Sequence, residues 1–287
     1  VAVLLIILER LGKGLRTPPR DAMLSYASSD MGHGAGFGLH EALDQIGAVA
    51  GPLILFMVLA SGGSYREGFL VLLAPATVAI AVLTMGYILF PRPSELEASG
   101  EIDYRHLRGT YWLYLASVCF VALGYADFPL IGYHLGVSSV LEPSKIPLIY
   151  SLAMLTDALS APLFGRYFDR YGFRVMALAV LISMFYAPLS FLGGSWAAFV
   201  GAVLWGVGMG AQESVMRAAV SVFSSPERRG SAYGTFNTIF GVAWFSGSLI
   251  MGYLYGVSVH GLVAFSIITQ SAALIILLSL ERFRSVS

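Results

Sequence analysis

The sequence predicts an all-α integral membrane fold made of two related helical bundles. Three observations predict it: long apolar blocks, a repeat at a fixed offset, and basic residues gathered on one side. Hydrophobic residues make up 57% of the 287 residues and charged residues 12%, against roughly 25% charged in a soluble domain. The apolar residues come in blocks that can cross a bilayer core as helices of about 20 residues. Residues 69–90, 111–133, 175–194, 196–223 and 262–280 are the clearest; 1–26, 34–60, 146–165 and 234–256 are weaker, giving nine spans. Blocks this long pair their backbone groups internally only as helices. The alternating segments of a membrane barrel are absent from the sequence.

The repeat is read from glycines. Gly12, Gly14, Gly34, Gly38 and Gly51 reappear 196 positions later as Gly208, Gly210, Gly230, Gly234 and Gly247. Ala22 and Ala218, Phe37 and Tyr233, and Leu53 and Leu249 keep the same offset. A run of matches without slippage means two similar halves, the usual plan of a secondary transporter. The second half holds six spans, and its fourth and fifth carry the repeated glycines. The matching glycines of the first half lie in its first two spans. These are therefore expected to be helices four and five of twelve, with three helices ahead of them over roughly 85 residues.

Loop charges set the orientation. Arg92, Arg105, Arg108, Arg166, Arg170, Arg174, Arg228, Arg229, Arg282 and Arg284 fall on one side of the nine spans, and only Arg66 and Lys145 on the other. The positive-inside rule makes the basic side, with the C-terminus, cytoplasmic. Residues 1–90 then read as an incomplete first bundle and 91–109, rich in Pro, Ser and Glu, as a cytoplasmic linker. Residues 110–282 read as a complete six-helix bundle and 283–287 as a cytoplasmic tail.

Between the second and third spans of the complete half stands Gly165-Arg-Tyr-Phe-Asp169-Arg170-Tyr-Gly172-Phe-Arg174. It resembles the cytoplasmic loop signature of the major facilitator superfamily, glycine-x-x-x-aspartate-arginine-x-glycine-x-arginine/lysine. The stretch from Glu9 to Ala22, with Gly34-Ala-Gly-Phe-Gly38 and Gly47-Ala-Val-Ala-Gly-Pro52, is similar to helices four and five of bacterial and archaeal members. The resemblance covers the chain. It implies a transporter of two bundles rocking about a midplane site, in the inner or plasma membrane of a prokaryote. It also implies that the signature loop packs on the glycine-rich start of helix five.

Charges within spans are the candidate site, because ionisable groups at membrane depth are costly. Glu9, Arg10 and Lys13 fall near mid-depth, with Glu9 and Lys13 four apart in the favourable acid-first order. They are expected to line the central pathway. Arg16 and Arg20 lie nearer the cytoplasmic end; Glu41 and Asp44 return on the next span. Equal rise per residue puts Arg20 at the depth of Asp44, which predicts an ion pair among Arg20, Glu41 and Asp44. Glu213 and Arg217 form a second pair at helical spacing, with Asn237, the repeat mate of Glu41, facing them. Such pairs are either fixed clamps or a cytoplasmic gate. Asp157, isolated mid-span, is the candidate proton carrier. Asp127, ahead of Pro129, reads as a helix-end partner. Asp169 is expected to meet the positive N-terminus of a helix and nearby arginines. Pro75, Pro129, Pro162 and Pro188 are expected to kink their helices.

Other function classes find little support. Formal net charge is zero, so no nucleic-acid partner is expected. The single cysteine, Cys119, allows no thiolate cluster, and His40 and His134 are too far apart for a metal site. The sequence lacks G-x-x-x-x-G-K-[ST], so energy is expected from an ion or solute gradient. It also lacks H-E-x-x-H and G-x-S-x-G, which speaks against an intramembrane enzyme. The expectation is a monomeric carrier of a small solute, in contact with lipid and coupled to protons, without a cofactor. A non-transporting remnant or interaction subunit is the alternative.

Overall fold

The computed structural model describes residues 2–89, 107–142 and 145–284. The described helices line up as nine rods. The first group is α1 (Ala2–Ala27), α2 (His33–Ala60) and α3 (Tyr65–Leu89). The second begins with α4 (Leu107–Leu123) and α5 (Phe128–Val137), which share a rod, then α6 (Ile146–Tyr171). α7 (Phe173–Ser183) and α8 (Tyr186–Leu192) share the next. α9 (Ser195–Ala211), a π turn (Gln212–Met216) and α10 (Arg217–Phe223) make another, followed by α11 (Arg229–Val257) and α12 (Val259–Arg284). Most of the 91–109 segment and the end of the 283–287 tail lie outside the described residues.

Six described spans are long and apolar enough to cross a membrane: Arg66–Leu89, Gly109–Val137, Leu148–Tyr171, Phe173–Leu192, Pro226–Val257 and Val259–Leu280. The other three rods are α1 and α2, which carry acidic and basic residues, and the α9–α10 rod, which the π turn divides. The chain is thus an all-α membrane protein.

The rods break where side chains can take over the freed backbone groups. Between α4 and α5 the Tyr186 hydroxyl donates to the Gly124 carbonyl at 2.9 Å and accepts from the Ala126 amide at 2.5 Å. The Ser266 hydroxyl also donates to Gly124, and the Trp205 indole donates to the Ala126 carbonyl at 2.8 Å. A helix break at depth is tolerated only with such partners. Gly124 is required there, since a Cβ would overlap Thr269. Pro129 stands at the head of α5 and Pro188 near the head of α8, each just past a break. Pro75 and Pro162 instead lie within continuous helices, so no break marks them.

The loop signature closes α6. Gly172 has φ 63°, a region that L side chains rarely adopt, and the chain turns there directly into α7. This turn, the α1–α2 turn and the α10–α11 turn all lie at one end of the rods, with Arg166, Arg170, Arg174, Arg228 and Arg229. This is the basic end.

Two buried cores stack along the rods. The core at the basic end joins Tyr114, Phe173, Val220, Phe223 and Tyr233 of the second group with Ala22 and Phe37 of the first. The core at the opposite end, around Tyr125, Phe128, Tyr186, Trp205 and Met251, draws only on the second group. The two groups therefore meet at the basic end, chiefly where α2 lies along α6 and α1 beside α11.

Candidate functional site

The junction of the two groups is the candidate site. Its outermost layer is set by the loop signature. The Asp169 carboxylate accepts the amides of Gly34 and Ala35, both at 2.7 Å, one on each oxygen. These are free donors of the first turn of α2, and an acidic group there is stabilised by the helix dipole as well. The approach depends on glycine from both sides. A Cβ on Gly34 would overlap the Gly165 carbonyl, and one on Gly165 would overlap the Gly34 carbonyl. Beside this clamp the Tyr26 hydroxyl donates to the Pro226 carbonyl at 2.5 Å, and the Arg229 guanidinium lies 5.1 Å over the Tyr26 ring.

One layer deeper is a network of charges from both groups. Arg20 donates to Asp21 Oδ1 through Nε at 3.0 Å and Nη2 at 2.8 Å. Arg217 lies among three carboxylates: Glu41 Oε2 at 3.3 Å, Glu213 Oε1 at 3.7 Å and Asp21 Oδ2 at 3.9 Å. Asn237 donates to Asp21 Oδ2 at 3.3 Å and to the Tyr233 carbonyl at 2.9 Å. Gln45 Nε2 donates to Glu41 Oε1 at 2.8 Å and across the junction to Asp157 Oδ2 at 3.1 Å. Asp21, Glu41 and Asp157 are all buried, and Asp157 Oδ1 accepts no hydrogen bond among the described residues. The π turn sets this layer, because it lies between Gly210 and Arg217 and carries Glu213. Its wider winding re-aims the side chains that follow it.

The 196-residue repeat reappears in the contacts. Phe37 packs on Tyr233, its own repeat mate, with ring centroids 5.9 Å apart. Asp21 meets Arg217, again its own mate. The Glu41–Arg217 contact maps onto the Asn237–Asp21 contact under the same shift. Residues that meet their own mates lie on a pseudo-two-fold axis, as two parallel repeats about the membrane normal require.

Several expected partners differ. Arg20 pairs with its neighbour Asp21 instead of Glu41 or Asp44. Glu41 points across the junction to Arg217, and Asp44, three residues on and about 300° round the helix, is exposed. Asp157 is not isolated, because Gln45 reaches it from α2. Asn237 faces Asp21, the mate of Arg217, rather than the Glu213–Arg217 pair. Arg16 and Lys13 are exposed on α1. The side chains of Glu9 and Arg10 lie outside the described residues. Asp21, Gln45 and Tyr26 were not singled out from sequence, and Arg229 only as a loop charge. Applying the repeat shift to charged residues would have found Asp21, which maps onto Arg217.

Toward the opposite end the described residues of the two groups stand apart. A Cβ on Gly12, Gly14, Gly47 or Gly51 would meet nothing within 4 Å, and Ile46 and Val49 are exposed. Asp127 serves here as a helix-end partner, accepting from the Trp244 indole at 2.6 Å and the Ser248 hydroxyl at 2.5 Å. It ties the head of α5 to α11. The arrangement is a two-group helical junction, held by charges and glycines at one end and, among the described residues, open at the other.

Known proteins resemble this chain in sequence. The family model described as Major Facilitator Superfamily matches residues 113–286. An uncharacterized protein of Mycobacterium tuberculosis is 34% identical over 289 residues, covering 98% of this chain and 71% of its own length. An uncharacterized MFS-type transporter of Methanocaldococcus jannaschii is 27% identical over 277 residues, covering 90% of this chain and 66% of its own. A class B tetracycline resistance protein of Escherichia coli is 29% identical over 114 residues, 39% of this chain and 28% of its own. The chain belongs to the major facilitator superfamily, a family of secondary transporters.

Proposed function

We propose that the chain moves a small solute by alternating access, with the basic end in the cytoplasm and proton movement as the driving force. The observation that carries this reading is the one-ended junction. Every described side-chain bond between the two groups lies between mid-span and the basic end, and toward the opposite end Gly12, Gly14, Gly47 and Gly51 meet no neighbour among the described residues. A junction closed at one end is what rocking about a midplane site requires of one of its two states. The layer of Arg20, Asp21, Glu41, Glu213, Arg217 and Asn237 acts as the cytoplasmic gate, and Asp169 with Gly34 and Gly165 as its outer latch. Arg170, Gly172 and Arg174 complete the latch turn, with Arg16 and Asp44 at the edge of the gate. Lys13 lines the solute pathway above it, the role also assigned from sequence to Glu9 and Arg10, whose side chains lie outside the described residues. Asp157 carries the proton, since its buried carboxyl sits where the gate meets the open cleft.

The test is uptake into proteoliposomes with an internal pH dye. Tetracycline is a first solute to try, because one relative is named for resistance to it. Solute-driven acidification that disappears in Asp157→Asn, at equal protein content, supports the reading. Solute entry unchanged by that variant rules out Asp157 as the proton site. A second reading has its own support: the Arg66–Leu89 span is almost wholly unburied. Such a helix suits a subunit that associates with others. Stable co-purification of the chain with another membrane protein, without solute movement, would favour it.

A further inference from the structure

We propose that the gate holds one proton shared between Glu41 and Glu213, and that losing this proton opens the basic end. The inference rests on the alternating-access reading and names the ion that governs its gate. Two geometric facts carry it. First, the Glu41 and Glu213 carboxyl groups reach one guanidinium, that of Arg217, from opposite sides of the junction: Glu41 Oε2 is 3.3 Å from Nη1 and Glu213 Oε1 is 3.7 Å from Nη2. Two carboxyl groups gathered on one cation can hold a single proton between them, and that proton belongs to the pair. Second, Arg217 holds neither glutamate tightly. Its contacts run from 3.3 to 3.9 Å, whereas charge-assisted N–H···O bonds close to about 2.7–2.9 Å. Arg20 and Asp21, at 2.8 Å, show what a closed pair looks like in the same layer.

The surroundings leave an excess of acid. α1 presents Arg20 and Asp21; α2 presents His40, Asp44 and the neutral Gln45; α6 presents Asp157. The π turn presents Glu213 and α10 presents Arg217, while α11 adds the neutral Asn237 and Tyr233. The buried carboxyls Asp21, Glu41 and Asp157, with Glu213, thus outnumber the guanidiniums Arg20 and Arg217. Gln45 already fills Glu41 Oε1, so Glu41 Oε2 is the oxygen left to face Glu213 and Arg217. With the proton in place, the pair bonds across the junction. When it leaves, two negative charges face each other at close range, one on each group, and repel.

The experiment measures the gate directly and needs no solute. Spin labels are placed on cysteines at the exposed positions Met31 and Glu227, one on each side of the junction, in a Cys119→Ser background. Electron–electron distance distributions are recorded in lipid nanodiscs between about pH 5.5 and 8.5, the range a shared carboxyl proton can span. The closed fraction is expected to fall about threefold or more with rising pH. In Glu41→Gln the amide replaces the protonated carboxyl, so the gate is expected to stay closed and flat with pH. Glu213→Gln is expected to do the same. An ordinary ion pair with Arg217 predicts the reverse, a gate that opens in both variants at neutral pH, and that result overturns the proposal. A pH-independent parent overturns it as well. If the Asp157 test above fails while this one succeeds, the gate proton stands and only the transported proton is lost.

Discussion

The heads of α2 and α11 are repeat mates, and they live in different surroundings. At α2, Gly34 and Gly38 lie against α6: a Cβ would overlap the carbonyls of Gly165 and Ala161. Asp169 holds the first amides of α2. At α11, a Cβ on the matching Gly230 or Gly234 would meet nothing within 4 Å among the described residues. The same inversion holds elsewhere. Gly208, Gly210 and Gly247 pack on neighbours in the second group, while Gly12, Gly14 and Gly51 meet nothing among the described residues. Each of the repeated glycine pairs has one packed and one open member. The glycines thus report a surface shared by both halves, and what differs is the neighbour that answers it. The packed members all lie against the stretch from α4 to α7.

Added bulk separates the two helix heads most strongly. Gly34→Leu should cost about 3 kcal/mol or more, because backbone faces backbone and nothing flexible can yield. Gly230→Leu in the same chain should change stability by about 0.5 kcal/mol or less. Thermal unfolding in detergent separates the two; equal losses would mean that the head of α11 is covered. Next in size is charge. Asp169→Ala removes two charge-assisted bonds to the α2 amides and should cost about 2 kcal/mol. Asp169→Asn should cost less, since its amide oxygen still accepts one bond. Hydrogen exchange at the Gly34 and Ala35 amides checks both, and unchanged protection in Asp169→Ala would contradict the latch. The smallest effect is at the rim. Tyr26→Phe loses one hydroxyl bond to Pro226 and should cost about 1 kcal/mol, read as a modest rise in cysteine labelling at the neighbouring Ser29→Cys.

The helical plan was legible because it needs only local information. Apolar blocks mark the rods, and repeated glycines mark two halves. The loop signature was legible for the same reason, as a short motif at a fixed place between spans. The network was less so. Pairing Arg20 with Glu41 and Asp44 assumed that neighbouring helices α1 and α2 face each other with those residues. In the fold, the Glu41 face of α2 turns toward α6 and the π turn, and Asp21 is drawn to its own repeat mate. Which face of a helix meets the other half depends on the rotation between halves, and no local pattern states that. The π turn at 212–216 is hidden for a related reason. Its winding answers the packing around it, and the sequence Gln-Glu-Ser-Val-Met carries no breaker.

Alternating access makes the one-ended junction one of two states. The most direct test uses two single-cysteine variants in Cys119→Ser, Ser25→Cys in the sealed layer and Gly47→Cys in the open cleft. Membrane-impermeant maleimide is applied from each side of oriented vesicles. The account predicts that Ser25→Cys labels slowly from the basic side and Gly47→Cys from the other. A Ser25→Cys that never labels before denaturation would mean a fixed clamp, and would contradict alternating access.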